Sequence, residues 1–168
     1  MARAARVRGV CGILRAAYGM PRFGNPTDPL DDLIYVIVST RTTMAVAQRI
    51  SGQLKAAFAI WDDALRPPVS RLRRILKPSG LSVKKSRQIV TALRRIKTRF
   101  GRCDLRPLST QSDGQIEKFL VSLPGVSEKV AKCVMMYVMH RRVLPVDVHV
   151  YRVWEVFYCG PTFFRAIV

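Results

Sequence analysis

Apolar residues recur along this chain at helical spacing, and no framework of alternating strands is evident. The pattern predicts a first helix over Val7–Tyr18, stopped by Gly19 and Pro21, and a loop from Pro21 to Pro29. Asp31 and Asp32 then open a second helix, where acidic residues favour the N-terminus. Leu33, Ile34, Val36, Ile37 and Val38 make it apolar nearly all round, so it belongs at the centre of a core. Thr43 caps a third helix through Phe58, with Val46, Ile50, Leu54 and Phe58 at i, i+4 spacing. After Pro67 and Pro68, Val69–Leu76 reads as a short basic helix, closed by Pro78 and Gly80. Ser82 begins a longer helix to about Phe100, ended by Gly101. Ser112 and Gln115 have capping-box spacing ahead of Ile116, Phe119 and Leu120. Ser127 caps the next helix, Glu128 to about His140, and Asp147 caps a last one from Val148 to about Phe157. An all-α fold follows.

Composition adds a strong bias. The 168 residues suit one domain or two small lobes, and no apolar run is long enough to span a bilayer. A net charge of +18 and a pI near 10.9 favour a polyanionic partner, most simply nucleic acid. From Arg66 to Arg106 inclusive there are 14 Lys or Arg and a single acid, Asp104. A helix face of one sign repels itself, and a phosphate backbone relieves that repulsion. Cys11, Cys103, Cys133 and Cys159 have no metal-ligand spacing, and Cys133 reads as a core residue. A reducing compartment fits. Met1–Val10 is rich in Arg and Ala but runs straight into a helical pattern, so it reads as part of the fold rather than as a targeting segment.

The chemistry concentrates in Leu123-Pro124-Gly125-Val126-Ser127-Glu128-Lys129 and in Asp147, inside Val146-Asp147-Val148-His149. Helix, short turn, helix is the reading from Phe119 to Met139, with Gly125 permitting a positive φ and close backbone approach. The turn amides and the start of the second helix suit an anion; an ordinary connection between core helices is the plainer alternative. Lys129 lies in the first turn, where the helix dipole disfavours a cation, and partial burial would act in the same direction. A neutral lysine is what nucleophilic catalysis needs. The plain alternative is a solvent-facing lysine paired with Glu128 or a phosphate. Asp147 serves as an N-cap in either case, and capping fixes its carboxylate in place. His140 and His149 have no neighbours suggesting a metal site.

These stretches resemble the helix-hairpin-helix DNA glycosylase superfamily, specifically its endonuclease III-like branch. Three further segments support the likeness: Asp28-Pro29-Leu30-Asp31-Asp32-Leu33-Ile34, Val38-Ser39-Thr40-Arg41-Thr42-Thr43, and Gly80-Leu81 followed by Lys84-Lys85-Ser86 and Ile89. The resemblance implies a two-lobed all-α fold, with a six-helix barrel over residues 30–141 carrying the hairpin at about 116–139. Residues 1–29 and 142–168 would form the second lobe. It implies a base-excision DNA glycosylase with AP-lyase activity on oxidised or otherwise damaged pyrimidines in duplex DNA. Lys129 would be the nucleophile and Schiff-base lysine, and Asp147 the assisting carboxylate. Leu123, Gly125, Val126 and Ser127 would hold a phosphate through their backbone. Arg41, Lys84 and Lys85 would contact DNA, Arg41 filling the gap left by a flipped base.

The chain departs from the family pattern at four places. Arg41 replaces Gln, Met44 a common Asp, Ser127 the second hairpin Gly, and Val148 a common Thr. The four-cysteine segment for an iron–sulfur cluster is missing, so no cofactor is expected and the second lobe reads as cut short. The competing functions are a catalytically weak or inactive, truncated DNA-binding helix-hairpin-helix module, a monofunctional glycosylase, and an RNA-associated basic protein. A cytoplasmic, nucleoid-associated monomer is the expected setting.

Overall fold

The computed structural model describes residues 2–20 and 24–152. Seven α-helices follow one another: α1 (Ala2–Tyr18), α2 (Pro29–Ser39), α3 (Met44–Ala57), α4 (Val69–Leu76), α5 (Ser82–Phe100), α6 (Asp113–Ser122) and α7 (Glu128–Tyr137). Single 3₁₀ turns at Trp61–Leu65, Lys77–Ser79 and Arg106–Thr110 join some of them. A further helical turn begins at residue 148 and continues to 152. There is no strand among the described residues, in agreement with the apolar spacing.

α2 is the axis of the core. Asp28 caps it by accepting the N–H groups of Leu30 (2.9 Å) and Asp31 (3.1 Å), and Pro29 supplies a φ already suited to the first helical position. Leu30, Leu33, Ile34, Ile37 and Val38 are each no more than 3% exposed, as an all-round apolar helix requires. α3, α5 and α7 pack against it, α4 lies on α5, and α6 lies on α7. Burying one such Leu stabilises the fold by roughly 1.5–3 kcal/mol relative to exposure. The buried cluster draws on α2 to α7 and takes nothing from α1, whose Val7, Val10, Ile13 and Leu14 are exposed.

Several helix ends differ from the sequence expectation. α1 starts five residues earlier than expected, at Ala2 rather than Val7. Thr43 occupies the N-cap of α3, but its hydroxyl makes no capping bond. α7 ends at Tyr137 instead of near His140. There the Met139 N–H turns back to the Val134 carbonyl, and His140 takes a φ of +53°. The capping box holds: Gln115 accepts the Ser112 N–H at 3.0 Å. The expected helix to Phe157 lies beyond the described residues after 152.

Candidate active site

The hairpin is α6, the turn Leu123–Ser127, and α7. Leu123 and Val126 bury their side chains and pin the turn to the core, while Gly125 and Ser127 face outward. Gly125 has a φ of +87°, a region costly for any residue with a β-carbon. A β-carbon there would also fall 2.7 Å from the Gln88 side-chain amide of α5. Ser127 Oγ accepts the Val130 N–H at 3.4 Å, a long cap. Among the described residues, the N–H groups of Gly125, Ser127, Glu128 and Lys129 have no acceptor within the chain. Such a cluster of free amides at a helix start is suited to a phosphate oxygen.

Lys129 and Asp147 meet. Lys129 Nζ lies 3.2 Å from Asp147 Oδ2, so the partner of the amine is this distant carboxylate and not the adjacent Glu128. The lysine side chain is half exposed. The two oxygens of Asp147 divide their work. Oδ1 accepts the His149 and Val150 N–H groups, each at 2.9 Å, and so caps the turn at 148. Oδ2 faces the amine. The Val150 N–H first, and then Lys129, hold the Asp147 carboxyl below its ordinary range. A carboxylate of that kind is a poor proton acceptor at neutral pH and a good partner for positive charge.

A second cluster adjoins the N-terminus of α5. Lys85 is 2% exposed, and its amine donates to Val38 O (2.8 Å), Ser79 O (2.9 Å) and Thr42 Oγ1 (3.0 Å). This corrects the expectation that Lys85 contacts DNA: its donors are spent inside the protein. Lys84, one residue earlier, is exposed and free of ion pairs among the described residues. The clamp joins two exposed turns. Arg41 (φ +53°) stands in one and Leu81 (φ +49°) in the other, and Leu81 keeps 52% of its surface exposed. From sequence, Leu81 figures only within the Gly80-Leu81 segment, with no role of its own. Its signal was an apolar residue after Gly80, outside every helical stripe.

Cys133 is buried, as expected, and His140 and His149 are exposed. Cys11, Cys103 and Cys133 lie on separate elements. No group of three His, Cys, Asp or Glu among the described residues could hold a metal, so these residues do not fit an iron–sulfur cluster.

A lysine and a carboxylate at the mouth of a helical hairpin, on a scaffold of charge +18, define a helix-hairpin-helix protein of the DNA-acting kind. The chain belongs to the HhH-GPD superfamily of base excision DNA repair proteins, whose family pattern matches residues 34–162. A protein of Arabidopsis thaliana named as a DNA glycosylase is 32% identical over 74% of this chain and 42% of its own length. Endonuclease III of Buchnera aphidicola is 29% identical over 72% of this chain and 54% of its own length. The chain thus spans about half the length of these curated relatives. A solved endonuclease III–DNA complex shares the fold, with a TM-score of 0.72 at 21% identity, over 89% of this chain and 66% of that one.

Proposed function

We propose that this protein is a DNA glycosylase with AP-lyase activity, acting on oxidised pyrimidines in duplex DNA. The observation that carries the reading is the 3.2 Å contact between Lys129 and Asp147 beside the free hairpin amides. The hairpin amides take a backbone phosphate and set the register of the strand. The damaged nucleotide turns out of the duplex, and its sugar comes to Lys129. Once the Lys129 amine has lost a proton, its lone pair attacks C1′. A C1′–N bond forms to the lysine and the bond to the base breaks, the base leaving with the electron pair. Positive charge that develops at the sugar lies against Asp147 Oδ2. Ring opening then gives a Schiff base, which permits β-elimination of the 3′ phosphate. Arg41 and Leu81, on the two turns that Lys85 ties together, would fill the space left by the flipped base. The names of the relatives support the glycosylase part of this reading, and the lysine supports the lyase part. Double-stranded DNA is the partner, engaged by a monomer in the nucleoid of the cytoplasm.

Borohydride trapping on a duplex with one abasic site tests the proposal, because only a Schiff base is reduced to a stable adduct. The wild-type chain is expected to form the adduct. Lys129→Gln is expected to form none while binding duplex within about twofold of wild type. An adduct of undiminished yield in that variant removes Lys129 from the mechanism.

A further inference from the structure

The reaction just described makes no use of the exposed side of α5. That helix contains no acidic residue. Its Lys84, Arg87, Arg94, Arg95 and Arg99 are exposed, on the side opposite the buried Ile89, Leu93 and Ile96. Among the described residues none of these five cations meets a carboxylate, whereas Lys97, further round the helix, takes Asp62 at 2.8 Å. Cations three and four residues apart repel one another, so the face works against the folded chain when it stands alone. Packing does not require it, because the opposite side of α5 supplies the core.

Two contacts tie this face to the hairpin. The Gln88 side chain lies against Gly125, so close that a β-carbon there would fall 2.7 Å from it. Arg95 Nη1 donates to the carbonyl of Ser122, the last residue of α6 before the turn. One turn further on, Arg99 sits over the rings of Phe119 (5.5 Å) and Phe100 (5.8 Å), which meet edge to face at 5.4 Å. Thr91, Arg94, Arg95, Thr98, Arg99 and Phe119 line one open groove between α5 and α6. Measured from Gln88, beside the turn, Arg95 lies about 10 Å and Arg99 about 16 Å along the helix axis. Successive phosphates of one DNA strand advance about 3.4 Å. The basic wall of the groove thus runs from about three to about five nucleotides away from a phosphate held at the turn.

We infer that this groove is a track for one arm of the lesion-bearing duplex, whose backbone leaves the hairpin and follows α5. The inference rests on the function proposed above, in which the turn holds a phosphate of that strand. Its occupant is the flanking duplex of the same DNA molecule, matched to the groove by charge. Arg95 and Arg99 are braced by the Ser122 carbonyl and the Phe rings, so little side-chain freedom remains to be lost when phosphates arrive. The consequence is asymmetry: the protein grips one arm of the duplex and not the other.

The test measures affinity for a duplex of about 30 base pairs with one central tetrahydrofuran abasic analogue, intact or with either arm cut to about three base pairs. The variant is Arg94→Gln with Arg99→Gln, which keeps Arg95 and its bond to the hairpin. Wild type is expected to lose about tenfold or more in affinity when one arm is cut and little when the other is. The double variant is expected to bind the intact duplex about tenfold or more weakly, with a salt slope smaller by about 1.8, and to lose little further when that same arm is cut. Its borohydride adduct on saturating natural abasic duplex is expected within about twofold of wild type, since Lys129 and Asp147 are untouched. Wild-type affinity of the double variant for the intact duplex overturns the inference. Equal loss whichever arm is cut overturns it too, because the charge then acts as a diffuse field. Loss of the adduct at saturation gives the face a structural role and overturns it as well. Duplex RNA bound more tightly than the DNA, with that preference lost in the variant, assigns the groove to another ligand and has the same effect. A wild-type chain with the arm dependence that traps no abasic DNA supports the track and refutes the proposed lyase. One that binds no duplex overturns both proposals.

Discussion

Lys129 and Lys85 occupy the first turns of α7 and α5, where the helix dipole opposes a cation. The two regions meet this opposition differently. At the hairpin, Lys129 stays half exposed and gains one carboxylate, Asp147, from another segment. Beside α5, Lys85 is withdrawn from water and surrounded by neutral oxygens. One of them, Val38 O, belongs to the last turn of α2, whose end carbonyls lack helical partners. Lys85 therefore completes a helix end, whereas Lys129 keeps an amine where a substrate can meet it. Burial pushes the Lys85 amine down, yet reactivity does not follow, because every donor is committed inward.

The comparison can be broken at either lysine. The largest effect is expected on the hairpin side. Asp147→Asn should slow base release about a hundredfold, since the negative charge beside the sugar is lost. Its amide oxygen can still accept the His149 and Val150 N–H groups, so at neutral pH the unfolding midpoint should fall only by the share of stability that the negative charge supplies. Low pH separates the two forms. A lowered Asp147 pKa contributes stability above its unfolded value of 3.8, and this is lost as pH falls below 3.8 through the folded value. Asp147→Asn should lack that acid-side decline in urea titrations. An unchanged rate of base release would reduce Asp147 to a helix cap.

A smaller effect is expected at Lys85. Lys85→Met leaves Val38 O and Ser79 O without their donor and should lower stability by about 2 kcal/mol in urea unfolding. DNA affinity should fall with it, but with an unchanged salt slope, because no phosphate contact is lost. The smallest effect belongs to its neighbour. Lys84→Gln should leave stability within about 0.5 kcal/mol. It should flatten the dependence of log K on log salt by about 0.9, the signature of one phosphate contact. Equal salt slopes for Lys84→Gln and wild type would place Lys84 away from DNA.

Much of this was legible from residue order. α4 and α5 fall where proline, glycine and apolar spacing set their limits, and the Ser112–Gln115 capping box formed as read. Asp28 as the cap of α2 was missed, although a cap residue followed by proline at the first helical position is a recognised start signal. The hairpin was legible from Gly125 and the apolar spacing on either side of it, whereas the joint role of Lys129 and Asp147 rested on the family likeness, since no local rule joins residues across the segment between them. Lys85 was misread for a physical reason. In a run such as Lys84-Lys85-Ser86 the side chains point in different directions, and only packing decides which amine turns inward. The left-handed turns at Arg41 and Leu81 were equally silent, because neither residue is a glycine.

The Lys85 clamp has a mechanical consequence. A protein that inspects a duplex by pressing a side chain between bases works like a probe on a spring. If the mounting is soft, the push bends the mounting and the base pair is never tested. One buried ammonium bolts the Arg41 turn and the Leu81 turn to the end of the central helix. In the encounter with DNA proposed above, the yielding part is then the duplex, and a weakened pair would give way before a sound one.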